Sequence, residues 1–442
     1  MKKALSLLML LFVLFLAACG NTDGDDSGEE TDSSASADTG SEEPAAEEST
    51  EPVEVVFWHA MSGPHEEAIN SFADSFNEAN ENITVKPVNQ GGYDDLEQKI
   101  MAGAKAGSLP HIAQSVTNVV PEYMNNDFLI PLNDLIEDEE VGMSEEELTD
   151  IIEVFRESSS WDGTFYSLPF SKSTRVLFYN QTLLDEHGLE VPETWDELRE
   201  VAETVTGDGV VGFGFENSFE SEFQGILKQL GGTYIDEESV EATFASEEGI
   251  EAMTFINDMI DEGIARTAGE DGYMSNPFGR GDVAMYIGSS AGIPHVAGAV
   301  EGDMEWTTAP IPALDGERAT TFAGNDIVLF NQGEEAEQKA AWEFMKYLTS
   351  QEVTTEWAML SGYLPVRYSA QDSDEYQTYL EENPAALAGP EQFDAGFFIA
   401  RVPGGDAVRN IVLEELDYIL QDMKTVEEGL TSAQDRANEA LQ

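Results

Sequence analysis

Two places in this sequence carry residue types suited to holding an anion. One is Gly288-Ser289-Ser290-Ala291-Gly292, small residues that end an apolar run at 283–287 and lead into a helical pattern. Backbone N–H groups and hydroxyls there would receive an anion, because a helix N-terminus carries partial positive charge. The same residues also make a plain helix cap. The other place is Arg409, which opens a helical stretch and shares a face with Leu413, Leu416 and Leu420. An arginine on an apolar face, at the helix end that disfavours cations, calls for a negative partner. That partner is either a neighbouring carboxylate or a ligand phosphate or carboxylate gripped by the guanidinium fork.

Catalytic patterns fail in context. Gly207-Asp-Gly209-Val-Val-Gly212 fits the dinucleotide-binding expression, but a helix precedes it and a strand follows, the reverse of the required order. Gly288–Gly292 fits the hydrolase elbow, with Ser290 as nucleophile. That order needs a distant downstream histidine, and His295 lies only five residues on. His65-Glu66 lacks the second histidine of a zinc-protease helix, and no other histidine pair has ligand spacing. Asp23, Asp25, Ser27 and Gly28 mimic a calcium loop, yet Ser34 stands where the closing glutamate belongs. The residues predict no catalysis, no metal and no cofactor.

The elements around these residues alternate. Residues 53–58 read as a strand, 66–80 as a helix with Ile69, Phe72 and Phe76 on one stripe, and 83–85 as a strand. A helix at 93–106 and a strand at 111–116 follow, with further strands at 174–179, 210–215, 283–287 and 326–330. Ser144 with Glu147, and Thr194 with Glu197, form capping-box patterns at helix starts. Such alternation predicts an α/β architecture with largely parallel sheets, and about 390 residues predict two lobes.

The N-terminus reads as an address. Lys2 and Lys3 precede an apolar stretch at 5–16, too short for a membrane span of about 20 residues. Leu16-Ala17-Ala18-Cys19 resembles the bacterial lipobox, in which the cysteine receives a lipid and becomes the new N-terminus. Cys19 is the only cysteine of the 442 residues, which also excludes intramolecular disulfides. Residues 20–52 hold twelve acids, no base and no aromatic, a composition that cannot bury a core and predicts a solvated tether.

The whole chain has 88 acids against 20 bases, a net charge of −68. Residues 53–442 keep 76 acids against 18 bases, so the excess covers the folded part too. This excludes unaided binding to nucleic acid or to an anionic membrane, both of which need basic surface. A dense acidic surface also suits a saline or alkaline habitat.

The residues of both anion-holding places belong to a wider likeness. Phe57-Trp58-His59-Ala-Met61, Leu168-Pro-Phe-Ser-Lys-Ser-Thr174, Val176-Leu-Phe-Tyr-Asn180 and Pro192-Glu-Thr-Trp195 carry it. So do Gly281-Asp-Val-Ala-Met285, Ser361-Gly-Tyr-Leu-Pro365 and 409–416. Across 53–442 the chain resembles the extracytoplasmic solute-binding proteins of bacterial ABC importers, within them the branch that binds glycerol-3-phosphate. The resemblance implies a Venus-flytrap fold: lobe 1 from 53–168 plus about 323–365, lobe 2 from 169–322 plus about 366–442. It implies a phosphate held by Ser173, Ser289, Gly324, Tyr363 and Arg409. The glycerol side falls on Tyr93 and on Thr117, which stands where that branch has a glutamate. Trp58, His59 and Trp195 either line the cleft or pack in the core. The implied protein is a monomer, lipid-anchored on the outer face of the cell membrane, that closes on a phosphoester and passes it to the permease. A neutral sugar or oligosaccharide is the alternative ligand, and an ester hydrolase using Ser290 the third reading.

Overall fold

The computed structural model describes residues 52–442. The signal stretch, Cys19 and all but the last residue of the acidic tether lie outside the described residues.

Strands β1 (Val53–His59), β2 (Ile83–Asn89) and β3 (Ile112–Val116) alternate with helices α1 (Pro64–Ala79) and α2 (Tyr93–Ala106). Then come β4 (Ser167–Asn180), α3 (Trp195–Val205), β5 (Val211–Phe215), α4 (Glu220–Gln229), β6 (Ala265–Thr267), β7 (Val283–Ser289) and α5 (Ile293–Ala299). The chain continues through β8 (Trp306–Ala309), β9 (Thr320–Leu329), α6 (Glu335–Leu348), α7 (Gln351–Ser361), β10 (Gly396–Phe398), α8 (Gly405–Leu420) and α9 (Val426–Ala440).

These strands form one ten-stranded sheet in the order β6-β5-β7-β4-β9-β3-β1-β2, with β8 added on β4 and β10 on β9. The outer strands pair in parallel, as βαβ crossovers require: β1 with β2 and β3, and β5 with β6 and β7. The central strands depart from the largely parallel expectation. β4 and β9 pair antiparallel with each other, β9 also with β3, and β4 also with β7 and β8. They run back between the two halves of the sheet, so their direction opposes that of their neighbours except the short β10, which pairs with β9 in parallel.

β4 is long enough to serve both halves. Its residues 167–174 pair with β9, whereas 175–180 pair with β7 and β8. All fourteen of its side chains are buried, as a strand covered on both faces must be. One apolar core gathers Val55, Phe57, Ile69, Phe72, Trp342 and Trp357 around β1, α1, α6 and α7. The other gathers Trp195, Phe213, Phe215, Phe223, Val412 and Leu416 around β5, α3, α4 and α8. In a further cluster Phe155 meets Phe322, Phe393 and Phe398 edge to face, 5.2 Å from Phe322 and 5.4 Å from Phe393.

Local signals act as read. Ser144 accepts from the Glu147 amide at 3.2 Å while Glu147 accepts from the Ser144 amide at 2.7 Å. Thr194 and Glu197 make the same reciprocal pair. The Gly207–Gly212 stretch is a tight turn closed by a bridge between Gly207 and Val210, entering β5 from α3.

Candidate anion-binding site

The junction of β4 and β9 sets the geometry. Ser173 faces Ala323 and Lys172 faces Gly324 across the ladder. Gly324 has φ +102°, and a Cβ there would lie 1.9 Å from the carbonyl oxygen of Ser171. Only glycine fits so close an approach. One residue on, Asn325 donates Nδ2–H to the Tyr93 hydroxyl at 2.7 Å. The Tyr93 and Tyr363 hydroxyls lie close enough to influence each other. Tyr363 stacks on Trp357, with centroids 5.6 Å apart, and Trp357 Nε1 donates to Ser171 Oγ at 3.2 Å. Burial raises both phenol pKa values above the usual range, so each keeps its proton as a donor.

Ser289 ends β7 opposite Arg175, two residues along β4 from Ser173. It caps the turn Ser290–Gly292, its Oγ accepting from the Ala291 amide at 3.2 Å. Its own hydroxyl proton therefore stays free to donate. The neighbouring Ser290 hydroxyl is buried without a partner among the described residues. The Ser290 carbonyl presses on Gly362, where a Cβ would approach it to 2.4 Å. Ser173, Ser289, Gly324, Tyr363 and Tyr93 are thus gathered around one junction.

Thr117 joins them through a residue that sequence reasoning did not single out. The ammonium of Lys172, wholly buried, donates to Thr117 Oγ1 at 2.9 Å and pairs with Asp326 at 2.5 Å. Asp326 also accepts from Ser167 at 2.8 Å. Burial lowers the Lys172 pKa, and Asp326 opposes that shift.

Arg409 approaches from α8. That helix starts a turn earlier than the sequence suggested, because Gly404 takes the left-handed conformation (φ +82°), so Arg409 sits in the second turn. Its Nε–H donates to Glu220 Oε1 at 2.7 Å. The neighbouring carboxylate, one of the two readings, is therefore present. The bond uses one N–H only, and neither terminal nitrogen has a partner among the described residues. Burial works against the Arg409 charge, but Glu220, Asp406 and Asp94 raise its pKa overall. Asp94 follows Tyr93 on α2, so Arg409 senses the element that presents Tyr93.

The three aromatic candidates divide. Trp195 is 2% exposed, lies in the second core and donates Nε1–H to Gln229 at 3.2 Å. It packs in the core, with an edge on a small opening beside Arg175 and Glu222. His59 is 1% exposed beside Phe57, and burial lowers its pKa. Trp58 is half-buried against the cluster of Leu96, Tyr123 and Phe330. Among the residues missed, Lys172 did carry a signal: a lysine inside an apolar strand motif. Asn325 and Glu220 carried none above the background of polar residues.

The β4–β9 junction of this α/β frame thus presents hydroxyl groups, and Arg409 on α8 keeps two terminal nitrogens without a partner among the described residues. The profile of the bacterial extracellular solute-binding proteins matches residues 71–385, and the chain belongs to that family. The sn-glycerol-3-phosphate-binding periplasmic protein UgpB of Salmonella typhimurium is 24% identical over 408 residues, covering 88% of this chain and 92% of that protein. UgpB of Mycobacterium tuberculosis, solved in complex with glycerophosphocholine, superposes with a TM-score of 0.78 at 24% identity over 88% of this chain and 98% of that one. The cyclic α-maltosyl-1,6-maltose binding protein of Arthrobacter globiformis gives 0.75 at 26% identity over 88% and 99%. Within the family the chain is a solute-binding protein of an ABC importer.

Proposed function

We propose that this protein captures glycerol-3-phosphate or a related glycerophosphoester between its lobes and delivers it to an ABC permease. In this reading it is a monomer held to the outer face of the membrane by lipid on Cys19, with 20–52 as tether. The observation that carries the ligand class is the donor set at the β4–β9 junction. Ser173, Ser289, Tyr93 and Tyr363 supply hydroxyls, and Arg409 has two unspent terminal nitrogens. A phosphoester offers acceptors only and is matched by such donors. The names of the UgpB relatives point the same way.

The lobes we propose are 53–168 with about 323–365, and 169–322 with about 366–442. Helices at Tyr368–Gln371 and Asp374–Glu382 follow α7, and Ser369 is bonded to Asp150 at 2.6 Å. That contact favours a last crossing somewhat later in the chain. Closure follows from differential contact: a ligand touching both lobes binds the closed state better and shifts the population toward it.

A neutral sugar is the second reading, favoured by the likeness to the maltosyl-maltose binder. Against it, Asp326, Glu220, Glu216 and Glu222 each already pair with a cation, Lys172, Arg409 or Arg175. The oxygens of Glu220 and Glu222 that stay without a partner among the described residues are buried.

Residues 51–442 form a compact unit suited to thermal unfolding in molar salt with glycerol-3-phosphate, glycerophosphocholine or maltose. Ligand at 100 times Kd adds about 2.7 kcal/mol and so moves the midpoint by several degrees. A shift with a phosphoester and none with maltose is expected. A shift with maltose alone would replace this reading with the sugar one.

A further inference from the structure

The ion pair of Arg409 with Glu220 leaves most of the guanidinium unspent. Arg175 also grips a carboxylate, Glu222, through Nε alone, but it spends both terminal nitrogens on Glu216 and the Ile287 carbonyl, whereas those of Arg409 have no partner among the described residues. Here one bond joins Nε to Oε1, while Glu220 Oε2 is buried without a partner among the described residues. The exposures are just as uneven: the Glu220 side chain is 5% exposed and that of Arg409 34%. The carboxylate lies inboard and the guanidinium outboard.

Glu220 is itself fixed. It starts α4, where the helix dipole favours a carboxylate. The adjacent acids cannot take its place, because Arg175 holds Glu222 at 2.7 Å and Glu216 at 3.1 Å. Arg175 adds a third bond to the Ile287 carbonyl, on the strand that ends in Ser289. The buried charges therefore tie the grip on Arg409 to the strand that presents Ser289.

We propose that Glu220 is the positioning residue of the anion site, holding Arg409 by Nε so that its two terminal nitrogens face the ligand as a preset fork. The inference rests on the proposed reading of Arg409 as a ligand contact. Without Glu220 the arginine keeps its charge but loses its direction, and an anion must order the side chain on binding. Glutamine in its place still offers an oxygen to Nε–H, so direction without charge should suffice.

The test compares the full chain with its E220A and E220Q variants by titration calorimetry, using glycerol-3-phosphate and glycerophosphocholine. The Nε–H resonance of Arg409, assigned by its loss in R409K, is followed in parallel. The parent and E220Q should bind within about threefold of one another and show a slowly exchanging Nε–H. E220A should bind at least about tenfold more weakly and lose that protection. Binding by E220A equal to the parent would overturn the proposal, and so would equal weakening in E220A and E220Q. No heat from the parent with either phosphoester would overturn the phosphoester reading and this proposal with it. Parent binding with an indifferent E220A would overturn this proposal alone.

Discussion

Lys172 Nζ donates to Thr117 Oγ1 at 2.9 Å, tying the long central strand β4 to the carboxyl end of β3. Thr117 Oγ1 accepts that bond, which leaves it one proton to donate and one lone pair to accept with. The same ammonium neutralises Asp326, and both side chains are wholly buried. Lys172→Met should therefore cost about 3–5 kcal/mol by stranding the Asp326 charge. The double change Lys172→Met with Asp326→Leu should recover most of that loss, because no charge is then left buried alone. Urea midpoints of the two variants check this. A double variant as unstable as the single would mean the cost lies in shape, not charge.

Gly324 combines φ +102° with a carbonyl 1.9 Å from any Cβ. Gly324→Ala must push β9 away from β4 at the very junction that gathers the hydroxyls. We expect a loss of at least about 2 kcal/mol from strain and displacement, with disappearance of the ligand-induced rise in midpoint. An alanine variant that melts and binds like the parent would show that the junction yields easily.

Periodicity revealed the outer parts of this fold more clearly than its centre. The stripe of Ile69, Phe72 and Phe76 and the paired caps at Ser144 and Thr194 act locally, and local signals survive in a sequence. The antiparallel course of β4 and β9 did not show, because pairing direction depends on partners 150 residues apart. The donor residues around Gly324 were legible only through family likeness. Nothing in spacing joins Tyr93 to Asn325 across 232 positions. Trp195 fitted core packing better than a cleft, but its pattern alone could not separate the two, since an aromatic residue looks the same in either place. Glu220 was hidden by abundance: one acid among 88 carries no signal until its partner is seen.

Arg409→Lys tests the fork itself. Lysine keeps the charge but presents a single point donor, without the planar pair of N–H groups. Phosphoester affinity should fall by at least about tenfold, a loss of about 1.4 kcal/mol, while the unliganded midpoint changes little. Unchanged affinity would assign Arg409 to the Glu220 ion pair alone.

His65 on α1 meets His295 on α5 with ring centroids 5.2 Å apart, and also packs against Trp357 and Tyr363. Its Nε2 is buried without a partner among the described residues. Burial, with His295 adding to it, lowers the His65 pKa to about 4. The unfolded chain therefore binds a proton near pH 6.5 that the folded chain refuses until about pH 4. Stability supplied by neutral His65 is full above 6.5 and is lost as pH falls between those values. His65→Phe keeps the aromatic contacts and should remove up to about 3 kcal/mol of that acid loss. Denaturant midpoints at pH 7.5 and 4.5 for both proteins decide it, and parallel losses would place the acid sensitivity elsewhere.

Glu97 on α2 shows how the acidic surface bears on stability. Burial raises its pKa to about 7, and Asp406, Asp94 and Glu122 push the same way. The folded chain thus holds a proton that the unfolded chain has released above about pH 4.5, so this group makes stability fall as pH rises toward 7. Glu97→Gln removes that penalty and should stabilise the protein by about 1–2 kcal/mol at pH 8, with no gain at pH 4. Part of the gain is repulsion from the three neighbouring carboxylates, which salt screens over about 3 Å at 1 M. The advantage of Glu97→Gln should therefore shrink in molar sodium chloride while the parent gains stability. Melting both proteins at pH 8 in low and high salt separates the two causes: an advantage that salt leaves intact would assign it to burial alone.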